Sequence, residues 1–98
     1  MEYRNLGRSG LKVSVVGLGC NNFGMVMNAH QTKTVVDAAL DQGITLFDTA
    51  DVYGGGGKSE IFLGKALGKK RSQVVIATKF GNPMGDSVYQ GGASRRYI

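Results

Sequence analysis

Three short, nearly unbroken apolar runs constrain this chain most: Val13 to Leu18, Ile44 to Phe47, and Val74 to Thr78. They are rich in β-branched residues and start about thirty residues apart, which suits strands buried on both faces of a parallel sheet. Two helical patterns separate them. The first covers about Gln31 to Gln42, with Val35, Val36, Ala39 and Leu40 on one face and Gly43 as its stop. Asn28 with Gln31 three residues on has the form of a capping box. The second pattern runs from about Ser59 to Leu67, with Phe62, Leu63, Ala66 and Leu67 on the buried side and Gly68 ending it. Glu60 in its first turn and Lys69-Lys70 past its end agree with the helix dipole. The order strand, helix, strand, helix, strand predicts right-handed βαβ units and an α/β fold.

Segments Glu2–Leu6 and Leu11–Val13 flank Gly7-Arg8-Ser9-Gly10, the pattern of a short hairpin ahead of this core. Behind it, Gly81 to Gly92 is polar, glycine-rich and holds the only proline, so a long loop is expected there. Ser94 is a good N-cap, and Ile98 stands one turn into the helix it announces. We therefore expect the chain to be the leading part of a longer domain.

The 98 residues carry a net charge of +5 and one cysteine, which excludes an internal disulfide framework or a four-thiolate zinc site. The densest basic run is Lys69-Lys70-Arg71, with no aromatic residue interleaved, so a solvated helix end is expected rather than a nucleic-acid surface. No stretch approaches the ~20 apolar residues of a membrane helix, and Met1 to Asn5 lacks a signal-like apolar run. A soluble, cytoplasmic chain without membrane insertion is the expectation.

Two glycine motifs invite a nucleotide-binding assignment and fall short. Gly17-Leu18-Gly19-Cys20-Asn21-Asn22 follows a strand, but a dinucleotide fingerprint needs Gly or Ala where Asn22 stands. Gly54-Gly55-Gly56-Gly57-Lys58-Ser59 ends in Gly-Lys-Ser, yet a P-loop needs glycine at the position held by Val52. A flexible turn is the better account. A P-loop nucleotide binder, losing ATP binding on Lys58→Ala, is the outlying alternative.

The residues able to do chemistry are Asp48, Tyr53 and Lys79, expected at or beyond the C-terminal ends of the second and third strands. Strand alternation puts Ile44, Leu46 and Asp48 on one side, and Val75, Ala77 and Lys79 on one side. If the two strands are neighbours, both charges face one mouth, where functional groups of parallel α/β proteins collect. A phenol with a pKa near ~10 is a weak acid at neutral pH. A nearby ammonium stabilises its phenolate, and a carboxylate in turn holds the ammonium. Together they can protonate an oxyanion forming on a carbonyl. A Lys–Asp pair at a sheet end also serves as a structural ion pair, and spacing leaves both roles open.

A longer pattern runs through these residues. Tyr3 to Ser14, then Gly17-Leu18-Gly19, Phe47-Asp48-Thr49-Ala50-Asp51-Val52-Tyr53-Gly54, Ser59-Glu60, Leu63-Gly64 and Thr78-Lys79-Phe80 resemble, in collinear order, the aldo-keto reductase family. The likeness is to the branch holding bacterial oxidoreductases and potassium-channel β subunits. It implies a (β/α)8 TIM barrel with an N-terminal β-hairpin at its bottom, truncated here after about three βα units, so that residues 1–98 are the N-terminal portion of one barrel domain. It also implies an NAD(P)H-dependent reductase of small aldehydes or ketones, with NADPH as cofactor and NADH as the alternative. Tyr53 would be the proton donor, Lys79 the ammonium beside it, and Asp48 the partner of Lys79 lining the nicotinamide site with Gly19, Cys20 and Asn21. Family members of the channel branch commonly carry Thr and Trp where Cys20 and Asn21 stand, so here the backbone would serve, and Cys20 could equally be a buried thiol. The family's catalytic histidine would fall beyond Ile98. His30, read as a surface residue near a helix start, does not replace it. The portion alone is expected to be inactive and to self-associate through exposed strand edges. The other function implied is an NADPH-binding, channel-associated regulatory subunit with slow turnover.

Overall fold

The computed structural model describes all 98 residues. Strands β1 (Tyr3–Asn5) and β2 (Lys12–Ser14) form the expected antiparallel hairpin, with Tyr3 opposite Ser14. Its turn closes through the Leu6 amide donating to Leu11 O at 2.7 Å and Ser9 Oγ donating to Leu6 O at 2.6 Å. After Ser14 the chain turns a corner and enters β3 (Gly17–Gly19), which belongs to a second sheet. The run Val13 to Leu18, expected as one strand, is therefore two. Hydrogen bonds from a side chain make the corner: Ser14 Oγ donates to Val16 O at 2.6 Å and accepts from the Thr45 amide at 2.9 Å. The Ser14 amide meanwhile donates to Thr45 Oγ1 at 3.0 Å. Short polar side chains that bond nearby backbone offer it an alternative to a ladder.

Helix α1 spans Ala29–Asp41 and begins with both arms of the capping box, Asn28 and Gln31 each accepting the other's amide at 2.9 Å. It starts two residues before the apolar periodicity does, because the cap and not the periodicity sets the first turn; His30 is thus inside the helix, and exposed. At its other end the Gly43 amide donates to Leu40 O and the Ile44 amide to Ala39 O, each at 2.9 Å. This is a Schellman closure, and it needs the left-handed backbone that Gly43 adopts at φ 81°. Tyr3 Oη donates to Gly43 O at 2.9 Å and so ties the hairpin to that helix end.

Strand β4 (Leu46–Asp48) lies between β3 and β5 (Val75–Ala77), both parallel to it. Helix α2 (Lys58–Leu67) ends at Gly68 as expected, and a 3₁₀ segment, Gly68–Gln73, leads into β5. Register places Leu18, Phe47 and Ile76 in one row across the sheet, with Gly17, Leu46 and Val75 before it and Gly19, Asp48 and Ala77 after it. The middle row packs on the helices: Phe47 shares a core with Cys20, Val36, Ala39, Leu63, Ala66 and Leu67, against which Leu18 and Ile76 also rest. Phe62, expected in that core, is half-buried.

Both helices lie on this one face. The alternate rows point the other way, where Gly17, Gly19, Asp48 and Ala77 are exposed. The strands are thus covered on one face in this chain, and not on both as their composition predicts. The result is a mixed α/β unit with a sequentially ordered parallel sheet, helices on one side and a hairpin at the N-terminal end of its strands. Gly81 to Gly92 forms turns without helix or strand, closed at the base by the Gly92 amide donating to Gly81 O at 2.8 Å. Ser94 Oγ accepts from the Tyr97 amide at 3.3 Å, the cap expected there. No helix is long and apolar enough to cross a membrane.

Candidate active site

Asp48 is the last residue of β4 and points to the open face in a row whose other members, Gly19 and Ala77, have little or no side chain. Lys79, expected to close the third strand, lies two residues beyond the end of β5. Continued alternation still turns it toward Asp48. Its Nζ donates to Asp48 Oδ1, to Thr49 O at 3.1 Å and, in a longer contact, to Tyr53 Oη at 3.4 Å. The same ammonium sits 5.0 Å from the centre of the Tyr53 ring, in cation–π range. Tyr53 comes from the turn after β4, held by its amide donating to Ala50 O at 3.2 Å and its carbonyl accepting from the Ser59 amide at 3.1 Å. The three side chains expected at one mouth do meet there.

Hydrogen bonding to Asp48, and secondarily to Tyr53, raises the Lys79 pKa against the opposing effect of partial desolvation, so the group is an ammonium throughout the neutral range. Asp48 and Lys79 are each about half exposed, with side-chain accessibilities of 53% and 50%, so their pairing adds little to stability. Because Tyr53 Oη accepts from Lys79, its own proton is free to point away from it. A cleft of about 230 Å³ adjoins, lined by Gly19, Cys20, Asn21, Asp48 and Tyr53. Of the sequence-derived set, Lys79 does not line this cleft and reaches it through its contacts to Asp48 and Tyr53, and Cys20 differs from expectation. That side chain is fully buried among core residues, its Sγ at 3.5 Å from Leu18 O, and burial together with the Asp48 charge pushes the thiol up to about 11. Cys20 borders the cleft between Gly19 and Asn21, its amide tied to the next strand by donating to Asp48 O at 2.8 Å.

The Gly-Lys-Ser run is a turn and a tie. Gly54 to Gly57 all take φ between 69° and 86°, a region natural to glycine, and Ser59 is fully buried. Its Oγ donates to Cys20 O at 2.7 Å and pairs with Thr49 Oγ1 at 2.8 Å, leaving it unable to serve a phosphate-bound cation as a P-loop serine does. Sequence reasoning passed over Ser59 as a structural residue because the glycines before it dominate the motif. The available signal was its spacing, four before Leu63 and seven before Ala66, which puts a hydroxyl on the buried stripe of α2.

A parallel sheet with a Tyr–Lys–Asp cluster at the C-terminal ends of its strands defines the class of an α/β protein with its ionisable groups gathered where such folds carry candidate sites. Residues 15–98 match the aldo/keto reductase family, and the chain belongs to that family. It is 45% identical over 92 residues to the uncharacterized oxidoreductase YrpG of Bacillus subtilis (strain 168), covering 88% of this chain and 28% of that protein. Over the whole of this chain it is 41% identical to the versiconal hemiacetal acetate reductase of Aspergillus parasiticus, covering 36% of that protein. It is likewise 39% identical to a probable voltage-gated potassium channel subunit beta of Arabidopsis thaliana, covering 30%. The chain spans about a third of the length of these curated relatives.

Proposed function

We propose that residues 1–98 form the hairpin and the first three strands of a single (β/α)8 barrel, and that the whole protein is a cytoplasmic reductase that reduces a small aldehyde or ketone with NADPH, or alternatively NADH. A closed barrel needs ~250 residues. Sequential strand order, helices confined to one face and an open opposite face are what its first units require. The outer edges of β3 and β5 carry no further strand here, and we place the remaining strands against them, with self-association the outcome in their absence.

The observation that carries the chemistry is the meeting of Tyr53, Lys79 and Asp48 beside the cleft. When bound, a reduced nicotinamide supplies a hydride to the carbonyl carbon. The chain's own residues act on the oxygen, where the C=O π pair collects. Tyr53 gives that oxygen its phenolic proton, completing the alcohol. Lys79 stabilises the phenolate left behind, and Asp48 keeps the ammonium in place. The cleft suits one flat ring: Gly19 offers bare backbone, and a Cβ built there meets nothing within 4 Å. Gly19, Asp48 and Asn21 would hold the nicotinamide, while Cys20, whose amide and carbonyl are bonded to Asp48 O and Ser59 Oγ, would stand behind them.

The test is NADPH-dependent reduction of a simple aldehyde by the full-length protein. Tyr53→Phe should lower kcat at least ~100-fold, the usual worth of a positioned proton donor; undiminished turnover removes Tyr53 from the mechanism. Similarity to the Arabidopsis channel subunit favours a second function, an NADPH-binding channel partner with slow turnover. Tight binding to a membrane channel with negligible reduction by the wild type would select it.

A further inference from the structure

We propose that Ser59 is the positioning residue of this site, acting with Thr49 to fix the distance between the Tyr53 phenol and the Lys79 ammonium; this rests on the reductase function proposed above. A serine hydroxyl has one proton. Ser59 Oγ spends it on Cys20 O at 2.7 Å, so in its 2.8 Å pairing with Thr49 the donor is Thr49. The result is a one-way chain from the Thr49 hydroxyl through Ser59 to the Cys20 carbonyl. Both side chains are sealed from water, at 0% and 1% exposure, where a hydrogen bond is strong and its loss is not made good by solvent.

Every link ends on a segment of the site. The Ser59 amide donates to Tyr53 O at 3.1 Å, at the residue that carries the phenol. Thr49 supplies the carbonyl that accepts from Lys79 Nζ at 3.1 Å, and its amide donates to Ala77 O at 2.8 Å. Cys20 joins Gly19 to Asn21 in the segment that lines the cleft. The next residue, Glu60, accepts from Thr78 Oγ1 at 2.6 Å, steadying the residue before Lys79. Two adjacent residues in the first turn of α2 thus grip all the chain segments around the cleft, and neither lines it. Ser59 touches no reacting atom. Its effect is on geometry alone.

The experiment measures kcat and KM for aldehyde reduction in the full-length protein bearing Ser59→Ala, Thr49→Val, Thr49→Ser or Tyr53→Phe. A misplacement of about 1 Å in a catalytic group costs about 100-fold. We expect Ser59→Ala and Thr49→Val to lose between ~10-fold and ~100-fold in kcat with KM changed less than about threefold. Thr49→Ser, which keeps the donor hydroxyl, should stand well above Thr49→Val. A folded Ser59→Ala protein with kcat within about twofold of wild type overturns the inference. If Ser59→Ala fails to fold, the Thr49 pair decides, and equal kcat for Val and Ser overturns it. Loss of activity in Tyr53→Phe alongside either overturning result leaves the reductase mechanism standing; unchanged Tyr53→Phe activity removes that mechanism instead.

Discussion

Burial of the Cys20 thiol makes a quantitative prediction about alkaline stability. The side chain is 0% exposed, and its pKa rises from 9.0 to about 11, chiefly by desolvation of the thiolate and then by the Asp48 charge. An unfolded chain releases this proton near pH 9, whereas the native state keeps it until about pH 11. Between these limits the native state binds more protons than the unfolded one, so stability falls as pH rises and levels off above the native pKa. At 1.36 kcal/mol per unit, Cys20 alone should cost about 1 kcal/mol of stability by pH 10 and about 2 kcal/mol by pH 11. Tyrosines and lysines titrate in the same range, so the quantity to measure is the difference between wild type and Cys20→Ala in urea unfolding at pH 8, 9, 10 and 11. Contributions from distant groups cancel in that difference. The stability advantage of the wild type should shrink by the amounts given. A difference constant to within about 0.5 kcal/mol across the series would refute the assignment of the thiol to the core and return it to the cleft.

Asp48→Asn should leave stability nearly unchanged in urea unfolding, since the pair it breaks is half exposed. It should nevertheless lower kcat, and because Lys79 loses the contact that most raises its pKa, the alkaline limb of the kcat profile should move to lower pH. Phe47→Ala, at a fully buried ring in the centre of the sheet, should cost about 3–5 kcal/mol in denaturant unfolding. Asn28→Ala removes one arm of the capping box and should cost about 1 kcal/mol, read as a lower Tm with retained cleft chemistry.

Features settled by nearby residues were legible in the sequence. Asn28 and Gln31 announce the start of α1, Gly43 its end, and Gly7 with Gly10 the hairpin turn, because each interaction spans only a few positions. The facing of Asp48 and Lys79 was legible too, since alternation along adjacent parallel strands needs no knowledge of distant contacts. The corner at Ser14 was hidden. Val13 to Leu18 reads as one apolar run, and the partner that bends it, Thr45, is 31 residues away. Ser59 escaped for the same reason: its hydroxyl bonds to residues 10 and 39 positions distant. Cys20 could be read as wall or core from its place after Gly19, and only the packing of Phe23, Val36 and Phe47 around it decides.

Strands β3, β4 and β5 neighbour one another in the order in which they are synthesised. No ribbon has to wait for a later segment to be inserted between it and its predecessor. A polypeptide leaving the ribosome can lay each new strand beside the one made just before it, each parallel pairing closing a loop of about thirty residues, so assembly can follow the order of synthesis.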